Sequence, residues 1–308
     1  MRNLGNSGLR VSETGLGCNN FGGRIDLEAT RRVVDQAIDL GINLFDTADV
    51  YGNKGGSEEF LGRILGEKRK KIVVATKIGM AMDAPEKIGA SRRYIFSEIE
   101  DSLRRLRTDF IDLYQIHQPD PLTPIEETLE ALDDLVHQGK VRYIGCSNFS
   151  AWQVVEAEWT SRHSRLSRFI SCQNEYSLLV RKIEADLLPV TERYHLGLLP
   201  YFPLASGLLT GKYSREKMPE GARLTTTKSL ADRYLTEANW QKAERLEKFC
   251  TGRGRTMVEL AFSWLLTRPG VASVIAGATK PEQLEENIGA TKWKLTEEDL
   301  AEIDRITK

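Results

Sequence analysis

Four side chains in the first half of the chain are of types that can jointly move a proton: Asp46, Tyr51, Lys77 and His117. Asp46 ends the run Ile42-Asn43-Leu44-Phe45, and Tyr51 follows five residues later in the stretch Ala48-Asp49-Val50-Tyr51-Gly52. Lys77 ends Ile72-Val73-Val74-Ala75-Thr76, and His117 ends Leu113-Tyr114-Gln115-Ile116. A tyrosine, with a reference pKa of ~10, is a poor acid near neutrality, but a close ammonium favours the phenolate and is expected to lower that value. Lys77 supplies the ammonium, and a lysine buried there must be paired with a carboxylate, which Asp46 provides. His117 then hydrogen-bonds the oxygen that receives the proton, or helps to pass the proton on. No side chain donates hydride, so this chemistry needs a nicotinamide as its electron source. Singly, each residue has an ordinary structural reading: Asp46 as a cap, Tyr51 as a packed aromatic, Lys77 as a solvated strand end, His117 as a rim histidine.

The elements that position them follow a βα rhythm. After a turn-rich start that suits a hairpin around Gly5-Asn6-Ser7-Gly8, β-rich runs occupy Thr14–Cys18, Ile42–Asp46, Lys71–Thr76, Phe110–His117, Val141–Cys146, Phe169–Gln173, Leu196–Tyr201 and Val271–Ala276. Stretches of helical period alternate with them, such as Leu27–Leu40, where Val33, Val34, Ala37 and Ile38 share a face. Pro124–Gln138 repeats Ile125, Leu129, Leu132 and Val136, with Thr123 before Pro124 as its start, while Gly41 and Gly139 close two helix ends. Eight parallel strands with helical crossovers predict a (β/α)₈ TIM barrel, with an open doubly wound sheet as the alternative. The barrel is favoured because no G-x-G-x-x-G follows the first strand, and it puts all four residues at strand ends on neighbouring strands. Asn239–Thr251 and Thr296–Thr307 predict additional helices, and the polar stretch Tyr213–Ala238 predicts a long loop.

A chain of 308 residues is expected to form one domain, residues 1–308, since such barrels routinely exceed ~250 residues undivided. Its 43 basic and 44 acidic residues nearly cancel, which excludes a strong electrostatic draw to nucleic acid or an anionic membrane. Cys18, Cys146, Cys172 and Cys250 form no C-x-x-C pair or ligand-spaced cluster, so neither a disulfide framework nor a metal site is expected. Met1 to Arg10 contains no apolar leader, and no run approaches the ~18 apolar residues of a spanning helix. The expectation is a cytoplasmic protein, with its oligomeric state open.

Several longer motifs resemble the aldo-keto reductase superfamily: Phe45-Asp46-Thr47-Ala48-Asp49-Val50-Tyr51-Gly52, Ala75-Thr76-Lys77, Tyr114-Gln115-Ile116-His117, Gly145-Cys146-Ser147-Asn148-Phe149-Ser150, Gln173-Asn174-Glu175-Tyr176 and Pro203 to Tyr213. The resemblance runs from Gly15 to Asn287. It implies a (β/α)₈ barrel with Asp46, Tyr51, Lys77 and His117 as the catalytic four, NADP(H) bound first, and hydride delivery to the carbonyl of a small substrate. It also implies that Ser147, Asn148 and Gln173 hold the carboxamide of the nicotinamide and that Tyr201 stacks on its ring, although Ser147 and Asn148 could instead cap the helix starting near Ala151. The loop with Pro203, Leu204, Ser206, Gly207 and Lys212 would hold the pyrophosphate. Gly277 to Asn287 would be the adenosine site, with Thr279, Lys280 and Gln283 at the 2′-phosphate and Glu286 and Asn287 at the adenine.

The chain departs from one large branch of that superfamily, which has a lysine-serine pair at Gly277-Ala278 and an arginine at Gln283. The pattern resembles the branch of bacterial reductases and potassium-channel β subunits, which still bind NADP. Phe21, Met80, Met82 and Phe149 are candidates for an apolar pocket wall or, equally, for loop packing, Gln118 suggests a roomier or more polar entrance, and Tyr213–Ala238 is a candidate lid. Two rival functions remain: an NADP-holding redox sensor, and a Schiff-base lyase, which would need a neutral Lys77.

Overall fold

The computed structural model describes residues 1–308. Ten strands are present: β1 (Arg2–Asn3), β2 (Arg10–Val11), β3 (Thr14–Gly17), β4 (Leu44–Asp46), β5 (Val73–Ile78), β6 (Ile111–Ile116), β7 (Val141–Ser147), β8 (Phe169–Gln173), β9 (Gly197–Leu198) and β10 (Val274–Gly277). The first two pair antiparallel as the expected hairpin. The other eight form one parallel sheet in the order β10-β3-β4-β5-β6-β7-β8-β9. Hydrogen bonds from Leu198 N–H to the Gly270 carbonyl (2.8 Å) and from Ile275 N–H to the Pro200 carbonyl (3.1 Å) bring its two edges together. The result is the predicted (β/α)₈ barrel. β9 is shorter than the run Leu196–Tyr201, because Pro200 has no N–H to give to a ladder.

Alternation along the strands decides what reaches the barrel interior. Val73, Ala75 and Lys77 share one face of β5, and register pairs Ala75 with Leu113 and Lys77 with Gln115 on β6. Val73, Ala75, Leu113, Leu44, Leu199 and Ile275 fill the lower interior together with Leu4 and Val11 of the hairpin, which plugs that end. Above this plug the inward positions turn polar. The outer apolar layer lies between strands and helices, and Val33, Val34 and Ala37 of the helix Leu27–Asp39 are wholly buried in it.

Most predicted helices appear where the periodicity puts them, including Ile125–His137, Glu237–Thr251 and Glu297–Thr307. Thr123 does not cap its helix; its hydroxyl donates to Asp120 Oδ2 (2.7 Å). The stretch expected to be a long loop instead contains the helices Arg223–Thr226 and Lys228–Tyr234. Neither has a side-chain cap, and both are too short to stand on propensity. They are held by tertiary anchors, with Leu224 and Tyr234 buried and the Tyr234 hydroxyl bonded to Glu175.

Candidate active site

At the C-terminal end of the barrel, Asp46 ends β4, Lys77 lies one residue before the end of β5, and His117 follows β6 directly. Lys77 is wholly buried and donates to Asp46 Oδ2 (2.8 Å), the Thr47 carbonyl (2.9 Å) and the Tyr51 hydroxyl (3.4 Å). Tyr51 reaches this point through an unusual turn. Gly52, Asn53 and Lys54 have φ of 68°, 60° and 67°, and a Cβ on Gly52 would lie 2.3 Å from the Phe21 carbonyl. The His117 ring meets the Tyr51 ring edge-on at 5.7 Å. The four residues read from the sequence therefore occupy one site.

The electrostatics differ from the expectation in one respect. Burial raises the Tyr51 hydroxyl pKa above its ordinary value of 10.0, and the Lys77 ammonium offsets only part of that. The predicted lowering is thus overturned: spacing reveals the neighbouring charge but not how deeply the phenol is buried. For Lys77, burial favours the neutral amine, but attraction to Asp46 and Tyr51 outweighs it and holds the group above its ordinary range. A lysine kept charged in this way is not a Schiff-base nucleophile. Burial, and then Lys77, push His117 down to about 3, so its imidazole is neutral. Its Nδ1 is buried without a partner. An orphaned acceptor costs less than an orphaned N–H, which places the proton on Nε2.

Gln173 on β8 donates from Nε2 to Asp46 Oδ1 (2.8 Å), a link that spacing did not reveal. Asn148, in the left-handed region at φ 62°, donates to the His117 carbonyl (2.9 Å) and to Ser147 Oγ (3.0 Å) and accepts from the Tyr201 hydroxyl (2.8 Å). Neither Ser147 nor Asn148 caps the next helix; Ser150 does so, in a capping box with Gln153. Ser147, Asn148, Gln173 and Tyr201 are thus linked to the Asp46–Lys77–Tyr51–His117 group by hydrogen bonds.

Pro203 and Leu204 lead into the segment Ala205–Thr210, where Ala205, Ser206 and Gly207 all have positive φ. Backbone of that kind is sparsely populated and collects at binding sites. Lys212 follows, and Arg24 and Arg223 converge on it: burial and then those two cations depress the lysine's pKa. Arg223 is depressed likewise by burial and then Arg24. No carboxylate bridges any of the three, and Glu286 is the acid that faces Lys212. No motif in the sequence marks Arg24 or Arg223: one lies in a turn and the other in the stretch whose polarity predicts a loop.

Gly277 ends β10, and the helix Glu282–Gly289 opens after Pro281. Gln283 Oε1 accepts from Thr279 N–H (2.7 Å) and Lys280 N–H (3.2 Å), so it occupies donors at the helix start. Glu286 is exposed and Asn287 is buried on that helix. Of the proposed pocket wall, Phe21, Met82 and Phe149 are buried as packing, whereas Met80 and Gln118 are exposed near the site.

No helix is long and apolar enough to cross a membrane, and no cluster of His, Cys, Asp or Glu has metal-binding geometry. The chain is 39% identical over 296 residues, 94% of its length and 90% of the relative's, to a protein of Oryza sativa subsp. japonica named "Probable voltage-gated potassium channel subunit beta". A protein of the same name from Arabidopsis thaliana is 38% identical, with 94% and 90% covered. The "Uncharacterized oxidoreductase YrpG" of Bacillus subtilis (strain 168) is 37% identical over 314 residues, 98% of this chain and 94% of that one. The model of the Aldo/keto reductase family matches residues 13–308. These matches agree with the barrel and support oxidoreductase chemistry: the chain belongs to the aldo/keto reductase family.

Proposed function

We propose that the protein reduces aldehydes or ketones to alcohols with NADPH, using Tyr51 as the general acid. The observation that carries this reading is the wholly buried Lys77 ammonium, bonded at once to Asp46 and to the Tyr51 hydroxyl. Asp46 keeps Lys77 charged, and Lys77 stabilises the phenolate left when Tyr51 gives up its proton. Because burial raises the Tyr51 pKa, the phenol is fully protonated at neutral pH, as a proton donor must be. Neutral His117 directs Nε2–H at the substrate oxygen and holds it in line with the phenol. When bound, the reduced nicotinamide supplies the hydride that no side chain can.

The residues present fit such a cofactor. Arg24, Lys212 and Arg223 form a cation cluster without carboxylate partners, which suits a pyrophosphate, and the positive-φ backbone of Ala205 to Gly207 lies next to Lys212 in the chain. Ser147, Asn148 and Gln173 offer the donors and acceptors that a carboxamide needs, and Tyr201 an aromatic face. Thr279, Lys280 and Gln283 would meet the 2′-phosphate only if Gln283 releases the two N–H groups it now accepts. Preference for NADPH over NADH is accordingly modest. We place the protein in the cytoplasm as one domain, residues 1–308, acting on a small carbonyl compound without nucleic acid or membrane.

The names of two relatives favour a second reading, in which the chain holds the cofactor and reports its redox state to a partner protein. Titration of intrinsic fluorescence with NADPH, followed by oxidation of NADPH with an aromatic aldehyde, separates the two. Steady multiple turnover supports the reductase. A single turnover followed by arrest supports the sensor, and no binding overturns both.

A further inference from the structure

The turn that carries Tyr51 contains a second buried acid. Asp49 is wholly buried; its N–H donates to the Lys77 carbonyl (3.1 Å), and its Oδ1 accepts from Val50 N–H (2.6 Å). One residue thereby ties the strand that presents Lys77 to the turn that presents Tyr51. The charged groups facing Asp49 are Glu58 from the segment Tyr51–Leu65, and Glu98 and Arg105 from the helix Arg92–Leu106. The phenols of Tyr94, on that same helix, and Tyr114, on β6, also feel its charge.

Ion pairing in this layer is complete without Asp49. Arg105 donates from Nε to Glu58 Oε2 (2.7 Å) and from Nη2 to Glu98, while Glu58 Oε1 accepts from the Thr76 hydroxyl (2.6 Å). Three carboxyl groups thus surround one guanidinium. Asp49 Oδ2 is buried with no partner, and so are Glu98 Oε2 and the hydroxyls of Tyr94 and Tyr114. A carboxylate oxygen left without donor or cation is far costlier than the corresponding acid. Burial, then Glu58 and Glu98, push the Asp49 carboxyl well above the usual carboxylate range, and the Val50 N–H and Arg105 oppose this only in part.

We propose that Asp49 is a positioning residue for Tyr51 that works as a neutral carboxylic acid, its proton kept because Glu58 and Glu98 already share the layer's guanidinium. This rests on the reading of Tyr51 as proton donor. While protonated, Asp49 clamps the turn that sets the Tyr51 hydroxyl 3.4 Å from Lys77. Its ionisation adds a third negative charge beside Glu58 and Glu98 and loosens that turn, so turnover acquires an alkaline limb that does not belong to Tyr51.

The test uses the full-length protein, Asp49→Asn, Asp49→Ala and, as a control, Tyr51→Phe. Asparagine keeps the acceptor for Val50 and cannot ionise. Its kcat and NADPH affinity are expected near wild type, with one inflection lost from the alkaline limb of kcat. The infrared difference between wild type and Asp49→Asn at neutral pH should contain the carbonyl stretch of a protonated carboxyl group. Asp49→Ala should lower kcat by about 10²-fold, the scale of a misplaced catalytic group, with little change in the Kd for NADPH. A carboxylate band in place of the protonated one, or an asparagine variant as slow as the alanine variant, would overturn the proposal. Full turnover in Tyr51→Phe would instead remove the proton-donor reading, and the infrared band would still report on Asp49.

Discussion

Replacing Lys77 with methionine isolates the energy of the buried pair at the centre of the site. The stem of the side chain is kept in length, so little cavity forms, but Asp46 Oδ2 loses its ammonium partner while Oδ1 keeps Gln173 Nε2 at 2.8 Å. Removing one member of a buried ion pair costs roughly 3–5 kcal/mol, because the remaining charge is left desolvated and unpaired. For a chain of 308 residues, an unfolding entropy of ~2.1 cal/mol/K per residue gives about 0.65 kcal/mol/K, so Tm should fall by roughly 5–8 °C. Asp46→Asn on the same background turns the stranded carboxylate into an amide that can still accept from Gln173. Most of the lost Tm is expected to return, although turnover does not. Calorimetry or thermal melts of wild type, both single variants and the double variant at pH near 7 give the complete cycle. A double variant as unstable as Lys77→Met, or a single variant with unchanged Tm, would refute the argument that the pair is held by mutual compensation.

His117 has a folded-state pKa of about 3 against an ordinary 6.5, so between those values the unfolded chain binds the extra proton. Stability from the neutral ring is therefore present above about pH 6.5 and is lost as pH falls toward about 3; His117→Asn should flatten the acid limb of Tm against pH, and a limb unchanged by the substitution would count against the assignment. Gln283→Arg frees the N–H groups of Thr279 and Lys280 and adds a guanidinium. The ratio of NADH to NADPH dissociation constants should rise by roughly ten- to a hundredfold, as charge-assisted hydrogen bonds of ~1.5–3 kcal/mol would give, and an unmoved ratio in paired titrations would place the 2′-phosphate elsewhere.

The barrel was legible because each βα unit carries its own local punctuation. Gly41 and Gly139 do take φ of 78° and 75° at helix ends, and the β-rich runs end where functional side chains begin. The Asp46–Lys77–His117 cluster was legible because a strand end on neighbouring strands is a position, and position follows from the rhythm alone. What depended on tertiary packing was not. The helices Arg223–Thr226 and Lys228–Tyr234 lack caps and rest on Leu224 and Tyr234, so no local signal announced them. Phe21 and Phe149 look like pocket residues in a loop, yet they are 0% and 3% exposed. Arg24 and Arg223 meet Lys212 only through the fold, and the direction of the Tyr51 shift turned on burial rather than on which charge lies beside it.

The central claim, that Tyr51 donates the proton from a site built by Lys77 and Asp46, is tested most directly by Tyr51→Phe. The Kd for NADPH should stay near wild type while single-turnover reduction of an aldehyde falls by ~10²-fold or more, the range of a positioned general acid. Reduction at the wild-type rate with cofactor fully bound would contradict the claim and take Tyr51 out of the mechanism.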